Sequence, residues 1–204
     1  MPRNNPYKGP DRLTRAAKTA GFPARSVFKL EEIDRRVGLL APGMSVLDLG
    51  ACPGSWSLYA AEKVGARGRV LAIDLDPART AFPPHVTFVE GDALDLDGDA
   101  LAVGAPYDVV LSDMAPRTTG NRMTDQARSF ELFMRALDVA ARLARLGGAF
   151  VGKIFMSGDL PEARAAVRRV FAKERLIRPE GTRSVSQEIF CIGMGKRAEP
   201  LEGA

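Results

Sequence analysis

The stretch Val46-Leu47-Asp48-Leu49-Gly50-Ala51-Cys52-Pro53-Gly54-Ser55-Trp56 decides the fold. It opens inside a short apolar run, 45–49, with the length and composition of a buried strand. It closes on a segment with helical patterning, 54–65, and two glycines stand between the halves. A strand that turns through a glycine loop into a helix begins a βαβ unit, and the rest of the chain keeps the alternation. Apolar runs recur at 69–73, 86–89, 108–111 and 149–154, and helical patterns fill 125–145, beginning after Thr124, and 160–173. Each crossover is long enough for the right-handed connection of parallel strands. The end of the chain departs from this rhythm: 188–194 reads as a strand entered from a loop and turn at 178–187 with no helix between, which fits an antiparallel terminal strand. Upstream, Ser26 reads as the N-cap of a helix over 27–37 whose Leu30, Ile33 and Val37 share a face, and Gly38 suits its left-handed C-terminal position. The pattern predicts an α/β fold, a doubly wound and mostly parallel open sheet with an antiparallel C-terminal strand and a helical N-terminal extension. Its expected organisation is a basic arm over 1–25, a single domain over 26–197 and a tail over 198–204.

Composition removes several classes. With 204 residues, 46% hydrophobic and 26% charged, the chain is of ordinary globular make-up, and it has no apolar run of membrane-spanning length. No apolar stretch follows its first residues as in a secretory signal, so a cytoplasmic protein without membrane contact is expected. Cys52 and Cys191 are far apart and match no metal-ligand spacing, so neither a disulfide nor a metal site is expected, and strand-buried thiols are the reading. A single histidine, His85, leaves nothing for histidine-based nucleophilic or metal chemistry. Proton transfer must then use carboxylates, lysines or tyrosines. Charge is uneven: residues 1–29 hold seven cations against one acid, while the remainder is slightly acidic. Such an arm is an electrostatic footprint for phosphate-bearing partners.

Ligands of open α/β sheets sit at the carboxyl ends of the strands, so the loop at 50–54 is the first candidate site. It is neither Gly-x-Gly-x-x-Gly nor a phosphate-binding loop with Lys-Ser/Thr. Gly50 and Gly54 let backbone approach a ligand closely, whereas Pro53 removes an amide that a pyrophosphate would use. That disfavours a nicotinamide-dependent oxidoreductase. The next strand ends at Asp74, placed to accept bonds from ribose hydroxyls, and the third leads to Asp92, where a carboxylate can accept from an exocyclic amine of adenine. A nucleoside without phosphate points to S-adenosylmethionine. The fourth strand ends in Ser112-Asp113-Met114-Ala115-Pro116 at the same sheet edge. Lys153 interrupts an apolar strand, where a charge is costly without a partner or a task. Glu188 opens the last strand, and Lys29 lies on the polar stripe of the first helix, so the four could share one patch.

On the stretches 24–33, 47–57, 112–116, 152–155 and 186–189, the chain resembles the FtsJ/RrmJ family of RNA ribose 2′-O-methyltransferases, over about 15–197. The resemblance implies a Rossmann-like S-adenosylmethionine-dependent methyltransferase whose Lys-Asp-Lys-Glu tetrad falls on Lys29, Asp113, Lys153 and Glu188. It also implies cofactor contacts at Gly54, Trp56, Asp74, Asp92 and Asp113, beside Gly50 and Pro53 of the loop. Ser55 stands where many members have a second glycine, a change tolerated if that position needs no positive φ. Methyl transfer from a sulfonium needs alignment of oxygen, methyl and sulfur and no metal. Lys153 is either the base for the hydroxyl or an ammonium that stabilises the alkoxide while Asp113 or water takes the proton. The implied substrate is a uridine of large-subunit ribosomal RNA, in the assembled subunit, met by a monomer. Arg15, Lys18, Arg25 and Arg183 are the expected phosphate contacts. Transfer RNA is the alternative substrate, because 15–29 also resembles the tRNA-acting branch. A noncatalytic RNA-binding assembly factor is a third reading, against which an intact tetrad argues.

Overall fold

In the computed structural model, residues 12–93, 102–180, 182 and 186–199 are described. Helices α1 (Arg12–Thr19) and α2 (Val27–Val37) precede strand β1 (Ser45–Leu49), helix α3 (Ser55–Val64) and strands β2 (Arg69–Asp74), β3 (Val86–Glu90) and β4 (Tyr107–Ser112). Then come α4 (Arg122–Leu143), β5 (Ala144–Phe155), α5 (Leu160–Val170), β6 (Phe171–Ile177) and β7 (Glu188–Lys196). The sheet order is β3-β2-β1-β4-β5-β7-β6. Strands β1 to β5 pair in parallel, and β7 runs antiparallel between β5 and β6. The order reverses at β1, so the carboxyl ends of β1 and β4 frame the crevice where ligands of such sheets bind.

Alternation along the strands sorts side chains between two cores. Leu47 and Leu49, Val110, Phe150 and Ile154 face α4 and α5, where Phe133, Leu137 and Val167 complete one cluster. Val46, Leu111, Val151, Phe190 and Ile192 face the other way and join Leu30, Ile33, Trp56 and Val64 of α2 and α3. Ala17 of α1 is fully buried in that second cluster, so this part of the basic arm is a docked helix.

Several local expectations need correction. Ser26 occupies the position before α2 but its side chain makes no capping bond, whereas Gly38 is left-handed as expected, φ 63°. Helix α4 starts earlier than its apolar stripe, because Asn121 accepts from the amides of Met123 and Thr124. The segment 171–173, expected to finish a helix, instead opens strand β6. Ala172, Lys173, Glu174 and Arg175 favour helix intrinsically, but pairing with β7 at the sheet edge overrides propensity. Cys52 lies half-buried in a loop and not in a strand, while Cys191 is buried on β7.

Candidate active site

Register assembles the expected tetrad. Leu111 pairs with Val151 and Ser112 with Gly152, so the residue after β4, Asp113, arrives beside Lys153. Across β5 and β7, Lys153 pairs with Phe190 and Phe155 with Glu188, which puts Glu188 one diagonal step from Lys153 on the same face. That face is covered by α2, whose Lys29 forms an ion pair with Glu188. Lys153 Nζ lies 3.0 Å from Asp113 Oδ1 and donates to the Asp113 carbonyl oxygen. The Lys153 side chain is only 7% exposed, so both of its partners come from one residue at the sheet edge. The structure thus brings Lys29, Asp113, Lys153 and Glu188 together as two ion pairs.

Next to them lies a cavity of about 330 Å³ at the carboxyl ends of β1, β2 and β4. Gly50, Asp74, Asp92 and Asp113 line it, with apolar surface from Leu75 and Met114. Asp74 organises the loop as well as facing the cavity: Oδ2 accepts from the Cys52 amide at 2.8 Å and Oδ1 from the Asp76 amide at 2.9 Å. Asp113 Oδ1 is buried and engaged by Lys153 in that ion pair, so one residue that lines the cavity also anchors the tetrad lysine. Gly50 lines the cavity, and both glycines also admit a close approach of the protein's own side chains. Both are left-handed, but a Cβ at Gly50 would press on Met114 at 2.7 Å and one at Gly54 on Thr80 at 2.6 Å. They let the protein close on itself, and Gly54 lies outside the cavity lining, as does Pro53.

Trp56 is also away from this cavity. It is 2% exposed in the core under α2, packs on Phe190 with ring centroids 5.5 Å apart, and donates its indole N–H to the Ser26 carbonyl at 2.9 Å. Ser55 starts α3 without a positive φ, and its hydroxyl both accepts from the Ala24 amide and donates to the Ala24 carbonyl, at 2.8 and 3.1 Å. Of the expected phosphate contacts, Arg15 and Lys18 are on α1, Arg25 is in the turn before α2, and Arg183 lies outside the described residues.

One buried acid near the site was unassigned in the sequence. Asp48 is fully buried on β1, with Oδ2 accepting from the Ser57 hydroxyl at 2.6 Å and Oδ1 unpartnered among the described residues. Burial pushes its pKa up to about 7, opposed by the Ser57 bond and reinforced by the charges of Asp113 and Asp74. The signal was available, since an acid inside an apolar strand is as costly as the lysine at 153.

Comparison with known proteins follows the same lines. The family model described as FtsJ-like methyltransferase matches residues 22–196. Ribosomal RNA large subunit methyltransferase E of Sorangium cellulosum (strain So ce56) is 63% identical over 199 residues, covering 98% of this chain and 94% of that protein. The protein of the same name from Oleidesulfovibrio alaskensis is 50% identical, covering 90% of each. Among solved structures, one described as a ribosomal RNA methyltransferase from Plasmodium falciparum superposes with a TM-score of 0.74 at 21% identity, covering 85% of this chain and 97% of that one. At that identity the superposition speaks for the fold.

Proposed function

The chain belongs to the FtsJ-like methyltransferase family, and from that premise we propose that it moves a methyl group from S-adenosylmethionine to a ribose 2′-hydroxyl of large-subunit ribosomal RNA. The observation that carries this reading is the double position of Asp113, which lines the cavity and pairs with Lys153. A donor in the cavity and an acceptor at the tetrad would therefore meet across one residue.

The cavity suits the cofactor. It offers acidic side chains and apolar walls, with no Lys-Ser/Thr phosphate motif in its loop. Asp74 is assigned to the ribose hydroxyls and Asp92 to the adenine amine, with Leu75 and Met114 against the ring. S-adenosylmethionine supplies an electrophilic methyl on a sulfonium. The chain's own residues then handle the hydroxyl. The electrostatic route is assigned from the contact with Asp113: Nζ orients the attacking oxygen and stabilises the negative charge it develops, while the hydroxyl proton leaves to water. Asp113 fixes Nζ, and the Lys29–Glu188 pair holds a second cation and carboxylate beside it.

The test uses S-adenosylmethionine tritiated in its methyl group, offered with ribosomal RNA, intact large subunits or transfer RNA in separate reactions. Label in large-subunit RNA at a 2′-O-methyl nucleotide is expected. Label confined to transfer RNA, or on a base, would overturn the assignment.

A further inference from the structure

A second cavity, of about 220 Å³, opens beside the tetrad between the start of α4, the end of β5 and the segment entering β7. Phe155, Gln187, Gln126 and Arg122 line it. Phe155 stands opposite Glu188 in the β5–β7 register and two residues beyond Lys153, hence on the same face of β5. Two residues along a strand span about 7 Å, a distance commensurate with that from a ribose hydroxyl to the pairing edge of its own base. Phe155 is half-buried, so part of its ring is open to a ligand. An aromatic face beside hydrogen-bonding side chains is how proteins hold unstacked RNA bases.

The two glutamines are locked in polarity. The Gln126 side-chain nitrogen donates to the Met156 carbonyl at 2.7 Å and to Gln187 Oε1 at 2.9 Å. A carbonyl accepts only, so the Gln126 amide cannot flip without losing a bond, and Gln187 must keep its oxygen toward Gln126. The Met156 amide also donates to the Gln187 backbone carbonyl at 2.7 Å, which ties the base of this arrangement to β5. Among the described residues, what remains for a ligand is one acceptor, Gln126 Oε1, and the two donors of Gln187 Nε2. Asp125, also at this cavity, is committed elsewhere: its carboxylate accepts from the amides of Thr119 and Gly120 and from the Thr119 hydroxyl.

We propose that this cleft takes the base of the nucleotide whose ribose is methylated, with Phe155 as its stacking face and the Gln126–Gln187 pair reading its edge. The inference rests on the ribose-methylation reading and deepens it. With the ribose held at Lys153, one alignment of the base edge is open. Uracil and cytosine exchange donor for acceptor at ring position 3 and at the exocyclic group on position 4, so they cannot both satisfy a pair of fixed polarity.

The experiment uses a large-subunit RNA segment with the methylated position set to uridine or to cytidine, and reads kcat/KM for each. The parent should favour one pyrimidine at least tenfold, the low end of discrimination by a two-bond contact. Gln187→Glu turns the outward donor into an acceptor and should shrink or invert that ratio. Gln187→Ala should lower kcat/KM for the favoured pyrimidine about tenfold or more and leave the other within about threefold. Cofactor affinity and melting temperature should match the parent in both variants. A parent ratio within twofold, or a ratio unchanged in either folded variant, would overturn the base-reading role alone. No transfer by the parent to any RNA would bring down the methylation reading with it.

Discussion

Asp48 and Lys153 are the same kind of residue in sequence, a charge inside an apolar strand, and the structure gives them opposite surroundings. Lys153 has a carboxylate and a carbonyl of Asp113; Asp48 has one hydroxyl and an orphan oxygen. An acid whose folded pKa is pushed up to about 7, well above the ordinary aspartate range, binds more protons folded than unfolded, so it costs stability as pH rises through that window. Asp48→Asn removes the cost. The melting temperature of the variant relative to the parent should therefore climb from pH 5 to pH 8; a difference independent of pH would refute the buried-acid account. Lys153→Ala should lower the single-turnover rate at least about a hundredfold with cofactor affinity unchanged, as expected when transition-state stabilisation alone is lost. Lys153→Arg keeps the charge but not the compact ammonium, so its rate should lie between the two. A rate equal to that of Lys153→Ala would return proton removal to Lys153.

Among the elements, β6 and α3 show where local reading stops. The edge strand Phe171–Ile177 was illegible because only its end residues are buried, and its polar middle carries helix formers that the pairing with β7 turns into a strand. Helix α3 was legible as a helix, but not as a fastener. Its first residues, Ser55 and Trp56, hold the backbone of Ala24 and Ser26, and so tie the loop after β1 to the turn that carries Arg25. Ser55→Ala orphans the half-buried Ala24 amide and removes one of the two donors to the Ala24 carbonyl, which keeps the Val27 amide. A loss of about 1 to 3 kcal/mol in denaturant unfolding should follow, together with faster amide exchange at Ala24. Unchanged exchange there would mean that the turn is held by other contacts.

At the scale of the whole molecule, charge and shape divide the work. The cations of α1 and the following turn flank Ala17, which is buried in the cluster that α2 and α3 complete, and they lie close in sequence to Lys29 of the tetrad. Lys18→Glu combined with Arg25→Glu should weaken RNA binding and flatten the dependence of log affinity on log salt, while cofactor binding, measured by calorimetry, stays as in the parent. A salt slope equal to the parent's would remove these residues from the interface. The alternation of elements, the polar residues at strand ends and the misplaced charge at Lys153 were readable in the sequence, because periodicity, turn chemistry and a charge in an apolar run are properties of neighbouring residues, while the grouping of Lys153 with Lys29, Asp113 and Glu188 was named through the family resemblance. The tertiary structure alone decided that β7 slots between β5 and β6, that Trp56 belongs to the core, that Gly54 accommodates Thr80, and that two glutamines 61 positions apart share a cleft. Each of these is set by strand order and register, which depend on the packing of distant segments against one another and leave no mark in any local window.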